Sequence, residues 1–104
     1  LICEEQFGPL LPIIGYDTVD QAVEIANDTG YGLGASVWGA DDDALARIAS
    51  QLRSGTRWVN QHGPAEIDIP FGGIKQSGLG TELGREGLLA YTGARVTNIK
   101  RPTN

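Results

Sequence analysis

The chain has 104 residues, 40% of them hydrophobic and 20% charged, which is the composition of one globular domain and not of a disordered tail. A formal net charge of −5 and an isoelectric point near 4.6 argue against nucleic acid or an anionic membrane as partner, because a phosphate-binding surface needs clustered lysine and arginine. No apolar run approaches the roughly 20 residues that span a bilayer, and the single cysteine, Cys3, has no partner for an internal disulfide. No CxxC or paired-histidine spacing suggests a metal. A soluble, cytoplasmic protein is the expectation. The lack of any methionine, including at position 1, is read as the mark of a processed or excised segment.

In chain order, the apolar run from Leu10 to Gly15 is long enough for a buried strand and too short for a helix. Thr18 followed by Gln21 has capping-box spacing, and Val19, Ala22, Val23 and Ala26 share one helical face, so a helix is expected to end by Gly30. Ala35 to Trp38 reads as a second strand. Three aspartates from Asp41 favour a helix N-terminus, and Leu45, Ile48, Ala49 and Leu52 carry its stripe toward Ser54 and Gly55. Thr56 to Asn60 is a third strand, followed by an irregular stretch to Gly80 of the long kind that is usually functional or else disordered. Thr81 to Tyr91 is expected as a last helix, and Arg95 to Lys100 as a terminal strand. Strands alternating with helices predict an α/β fold with a largely parallel sheet. An unpaired last strand is a ready site for association with another chain.

Two glycine-rich clusters stand out, EEQFGP from Glu4 to Pro9 and PFGGIKQSGLG from Pro70 to Gly80. The second, with a lysine ahead of a helix, invites a phosphate-cradle reading, but its spacing matches neither GxxxxGK[ST] nor GxGxxG after a strand. Glycine-dependent turns are therefore preferred.

EEQFGP, YGLGASVW, GTRWVN and PFGGIKQSGLGTELGREGLLAYT occur in the order and spacing of the aldehyde dehydrogenase superfamily, and the resemblance covers nearly the whole chain. It implies the carboxyl-terminal part of that family's catalytic domain over residues 1–93, with an oligomerisation strand and tail at 94–104. Such enzymes oxidise an aldehyde to a carboxylic acid with NAD or NADP through a cysteine thiohemiacetal, which requires a depressed-pKa thiolate, oxyanion donors and a carboxylate that activates water. In the family that cysteine and glutamate lie upstream of EEQFGP. The segment alone is therefore expected to be inactive.

The resemblance assigns Glu5 and Phe7 to the ribose on the nicotinamide side of the cofactor, Phe71 to the aldehyde tunnel, and residues 61 to 69 to a variable substrate-specificity loop holding His62. Each has a plainer reading: a solvated charge for Glu5, core packing for Phe7 and Phe71, an ordinary polar side chain for His62. Cys3 sits beside Glu4 and Glu5, which would raise a thiol pKa, and is read as structural and not catalytic. Arg57 and Thr81 depart from the family pattern, which has an apolar residue and an arginine there, and Thr81 is expected to cost a subunit or domain contact. A small-molecule aldehyde and a second copy of the enzyme are the implied partners. The rival reading is a stand-alone interaction module that keeps the fold without the chemistry and associates through its last strand.

Overall fold

The computed structural model describes residue 4 and residues 7–102. Its centre is one parallel βαβ unit. Helix α2 (Asp42–Gln51) joins strand β2 (Gly34–Val37) to strand β3 (Thr56–Val59), and the strands pair in register from Gly34 opposite Thr56 to Val37 opposite Val59. The helix starts where the sequence indicates. Asp41 Oδ1 accepts the Ala44 N–H at 3.0 Å, and Asp42 and Asp43 occupy the positive end of the first turn. Its apolar stripe buries Leu45, Ala49 and Leu52 against the two strands, and Trp58 of β3 completes the core. Arg57, on the opposite side of β3, reaches back to the Ser50 carbonyl at 3.4 Å, a cation at the negative end of α2.

Helix α1 (Val19–Asn27) is capped by Thr18, whose Oγ1 accepts the Gln21 N–H at 3.2 Å. The Gln21 side chain returns to the Asp17 N–H at 2.7 Å, one residue earlier than an ideal capping box. None of the residues of α1 is fully buried, so polar contacts hold its far end. Asn27 donates to the Gln51 carbonyl at 2.9 Å and accepts the Arg53 N–H at 2.7 Å, tying the end of α1 to the end of α2. Lys75 Nζ donates to the carbonyls of Asn27 and Thr29 at 2.9 and 3.0 Å, satisfying oxygens that the helix leaves open. Replacing Asn27 with alanine removes both side-chain bonds and is expected to destabilise the fold by about 1–2 kcal/mol, measurable by urea denaturation. An unchanged midpoint would show that the clasp contributes nothing.

A second, antiparallel pair joins β1 (Tyr31–Gly32) to β4 (Ile74–Lys75). These two-residue strands lie within segments without periodicity, β4 inside the stretch expected to be irregular. Helix α3 (Gly84–Leu89) begins later than expected because Glu82 is already engaged: it exchanges backbone hydrogen bonds with Phe71 at 2.7 and 2.8 Å. Leu83 then takes φ 60° and ψ 177°, a conformation costly for a side-chain-bearing residue, before the helix starts.

Residues 10–15 and 95–100, expected as strands, form no ladder. A strand exists only when its N–H and C=O groups find a neighbour, and none of the described residues pairs with them. Several of their apolar side chains stay uncovered, Ile13 at 92% and Val96 at 82% exposure. The overall shape follows. The radius of gyration is 20.0 Å, against about 13 Å for a compact chain of this length, and the long axis extends 77 Å.

Candidate active site

In open parallel sheets, ligands bind beyond the carboxyl ends of the strands. Here that end is where Asn60 leaves β3. Asn60 adopts φ 54°, a left-handed conformation that asparagine tolerates. Its side chain accepts the Gly39 N–H at 2.9 Å and donates to Asp42 at 3.2 Å, which fixes the direction of the departing chain. The next residues, 61 to 70, lie within the stretch expected to be irregular and are exposed throughout.

The loop returns to Phe71 and encloses with it an open hollow of about 220 Å³, whose walls include Trp58, Gln61, Pro64, Glu66, Ile69 and Phe71. Phe71 is half-buried, and its main chain is clamped to Glu82 on both sides. The far end of the loop is fastened by the Gly84 N–H, which donates to the Ile67 carbonyl at 2.8 Å. His62 does not line the hollow. Its ring meets the Trp58 indole edge-on, with centroids 5.0 Å apart.

Trp58 was not singled out from the sequence beyond its place in GTRWVN. A usable signal was present, since a buried indole needs a partner for its N–H. The donor finds it in the loop, 3.3 Å from the Pro64 carbonyl.

Phe7 stands apart from this hollow, 102% exposed, beside a tight turn in which the Leu10 N–H donates to the Gly8 carbonyl at 2.8 Å. Glu5 and Cys3 lie outside the described residues. Thr81 is exposed, as a residue without an internal role would be. Among the described residues no group of acidic, histidine and cysteine side chains could hold a metal, and no helix is long and apolar enough to cross a membrane.

The motif glycines explain how these segments come so close. A Cβ on Gly34 would lie 2.6 Å from Cζ3 of Trp58, so the absence of a side chain on β2 makes room for the indole. A Cβ on Gly55 would overlap the Gly72 carbonyl. YGLG, GTRWVN and PFGG therefore pack backbone against ring and backbone against backbone.

A model described as the aldehyde dehydrogenase family matches residues 1–97. The chain belongs to that family. Among curated aldehyde dehydrogenases and their kin, it is 51% identical over 88 residues to geranial dehydrogenase of Castellaniella defragrans, covering 85% of this chain and 18% of that protein. It is 45% identical to betaine aldehyde dehydrogenase of Bacillus subtilis, covering 99% and 21%. Among solved structures, a Mycobacterium tuberculosis aldehyde dehydrogenase complexed with NAD+ superposes with a TM-score of 0.83 at 46% identity, covering 88% of this chain and 19% of that one. Betaine aldehyde dehydrogenase of Staphylococcus aureus in complex with NAD+ gives 0.83 at 44%, covering 86% and 18%. The chain thus spans about a fifth of the length of these aldehyde dehydrogenases. The α/β architecture expected from alternating elements is theirs as well.

Proposed function

We propose that the complete polypeptide containing this chain oxidises an aldehyde to a carboxylic acid with NAD or NADP. In this reading residues 1–93 supply the carboxyl-terminal part of the catalytic domain. The observation that carries it is the hollow lined by Thr56, Arg57 and Trp58 of β3, the 61–70 loop and Phe71, which brings the family motifs GTRWVN and PFGG together across that loop. The likeness to aldehyde dehydrogenases that hold NAD+ supports it.

The exposed ring of Phe7 suits the cofactor, since no described residue covers it and an aromatic edge can pack beside a ribose or nicotinamide. Glu5, two residues earlier, offers carboxylate oxygens to both ribose hydroxyls. When bound, the nicotinamide accepts the hydride. Phe71 and the loop would hold the aldehyde's side chain, while the nucleophilic cysteine and the carboxylate that activates water come from elsewhere in the polypeptide. A thiolate chemistry calls for a reducing compartment, so a cytoplasmic setting belongs to the same proposal. So does a homo-oligomer formed through residues 94–104, whose uncovered Val96 and Ile99 offer an apolar edge to a second copy.

The test is NADH or NADPH formation by the complete enzyme against a panel of aldehydes, with the 104-residue chain alone expected to stay at background. Within the panel, uncharged aldehydes should be preferred. The loop carries Glu66 and Asp68, and the one cation lining the hollow, Arg57, donates to the Ser50 carbonyl, so a carboxylated aldehyde would meet two loop carboxylates and an already engaged guanidinium. A clear preference for a carboxylated aldehyde over an aliphatic one of the same length would overturn the charge argument. Lack of turnover with every aldehyde would overturn the function.

A further inference from the structure

The geometry points to Trp58 as a positioning residue for the aldehyde pocket, one that sets which aldehydes fit by anchoring the 61–70 loop from below. The inference rests on the reading that this loop and Phe71 form that pocket.

Trp58 is 8% exposed and belongs to the core, seated on β3 opposite Ser36 and against the bare Cα of Gly34. Three of its features point outward from that seat. Its Nε1–H donates to the Pro64 carbonyl in the middle of the loop. Its ring edge meets His62 near the start of the loop. Its remaining surface forms part of the hollow that also contains Phe71. The same side chain is therefore rigid core at one end and pocket floor at the other.

The loop has few other restraints. Between Gln61 and Ile69 its main chain makes one internal bond, Ile69 N–H to Glu66 carbonyl at 3.1 Å, and one bond to Gly84 near the far end. Its side chains make no hydrogen bond to the rest of the described molecule. The Trp58 indole is thus the fastening for the first half of the loop, and His62 acts on the pocket through it. A buried donor has a strong preference for its acceptor, because an unmet N–H in the core loses its hydration without compensation. The loop height above Phe71, and with it the length and girth of aldehyde admitted, follows the position of the indole.

The test uses the complete enzyme with Trp58→Phe, which keeps an aromatic body in the core and removes the donor. Glu-specific protease should cut after Glu66 about 5-fold faster in the variant, the size expected for loss of one hydrogen bond. KM for bulky aldehydes should rise by a similar factor, and by more than KM for a two- or three-carbon aldehyde. His62→Ala, which leaves the core intact, should shift both readouts in the same direction by less, and it decides the matter if Trp58→Phe does not fold. Unchanged cleavage after Glu66 would overturn the anchor. Faster cleavage with KM and kcat altered equally for all aldehydes would reduce Trp58 to a general structural role and overturn its part in specificity. If the wild-type enzyme turned over no aldehyde, the functional reading would fall, and the proteolysis would still decide whether the indole holds the loop.

Discussion

Replacing Gly55 with alanine is expected to destabilise the protein by about 3 kcal/mol or more and to remove most of the activity of the complete enzyme. Overpacking a well-filled site typically costs roughly 1–3 kcal/mol when side chains can adjust. Here the added methyl would meet the Gly72 carbonyl, with the Leu33 carbonyl 3.4 Å away on the other side, so both obstacles are main chain. Gly55 is also held in place through its own N–H, which donates to the Gly32 carbonyl at 3.0 Å. The strain must therefore move the 71–73 segment, and Phe71 with it. Gly93→Ala is the matched control, because nothing lies within 4 Å of its Cβ position, and it should fall within about 0.5 kcal/mol of wild type. Thermal midpoints and residual turnover for the two variants provide the comparison. Equal stability would mean that GTRWVN and PFGG do not touch as described.

The second large effect is expected at Glu5. If this carboxylate holds the ribose as proposed, losing a hydrogen bond to a charged group removes about 1.5–3 kcal/mol, or about 10- to 100-fold in cofactor binding. Glu5→Gln keeps the shape and one acceptor, and Glu5→Ala keeps neither, so alanine should be worse. Glu4→Gln tests whether any neighbouring carboxylate would serve. Cofactor KM and the rate of hydride transfer should be most affected in Glu5→Ala, less in Glu5→Gln and least in Glu4→Gln. Near-wild-type values for all three would remove Glu5 from the site, since exposed substitutions usually fall within about 0.5 kcal/mol.

What could be read from the sequence depended on how local its cause was. Thr18 and Asp41 announce the starts of α1 and α2 because a cap bond spans three residues and is written in those residues alone. Thr56 to Val59 is legible as a strand because its β-branched and aromatic content suits a half-buried ladder. The pairing of Tyr31 with Lys75 has no such signature, since each strand is two residues long and the contact spans the chain. The apolar segments at 10–15 and 95–100 have strand composition, yet composition supplies no partner, and the ladder does not form. The late start of α3 was equally hidden, because the Phe71–Glu82 bridge competes for residues that would otherwise extend the helix. At the site, Phe71 and its loop were accessible only through the family resemblance. Trp58 was in plain view as part of a motif, but its two roles separate only once Gly34 and Pro64 are seen on either side of it.

The hydrogen bonds that fasten the 61–70 loop all end on its main chain, at the carbonyls of Pro64 and Ile67. A wall secured in this way behaves as an interchangeable cassette. Apart from His62, which rests on the indole, its side chains can be exchanged one at a time, for charge, bulk or polarity, without loosening the mounting. The frame demands glycines, an indole and an asparagine at set places, whereas the insert is constrained in path and free in content, so new substrate preferences can arise there at little cost to folding.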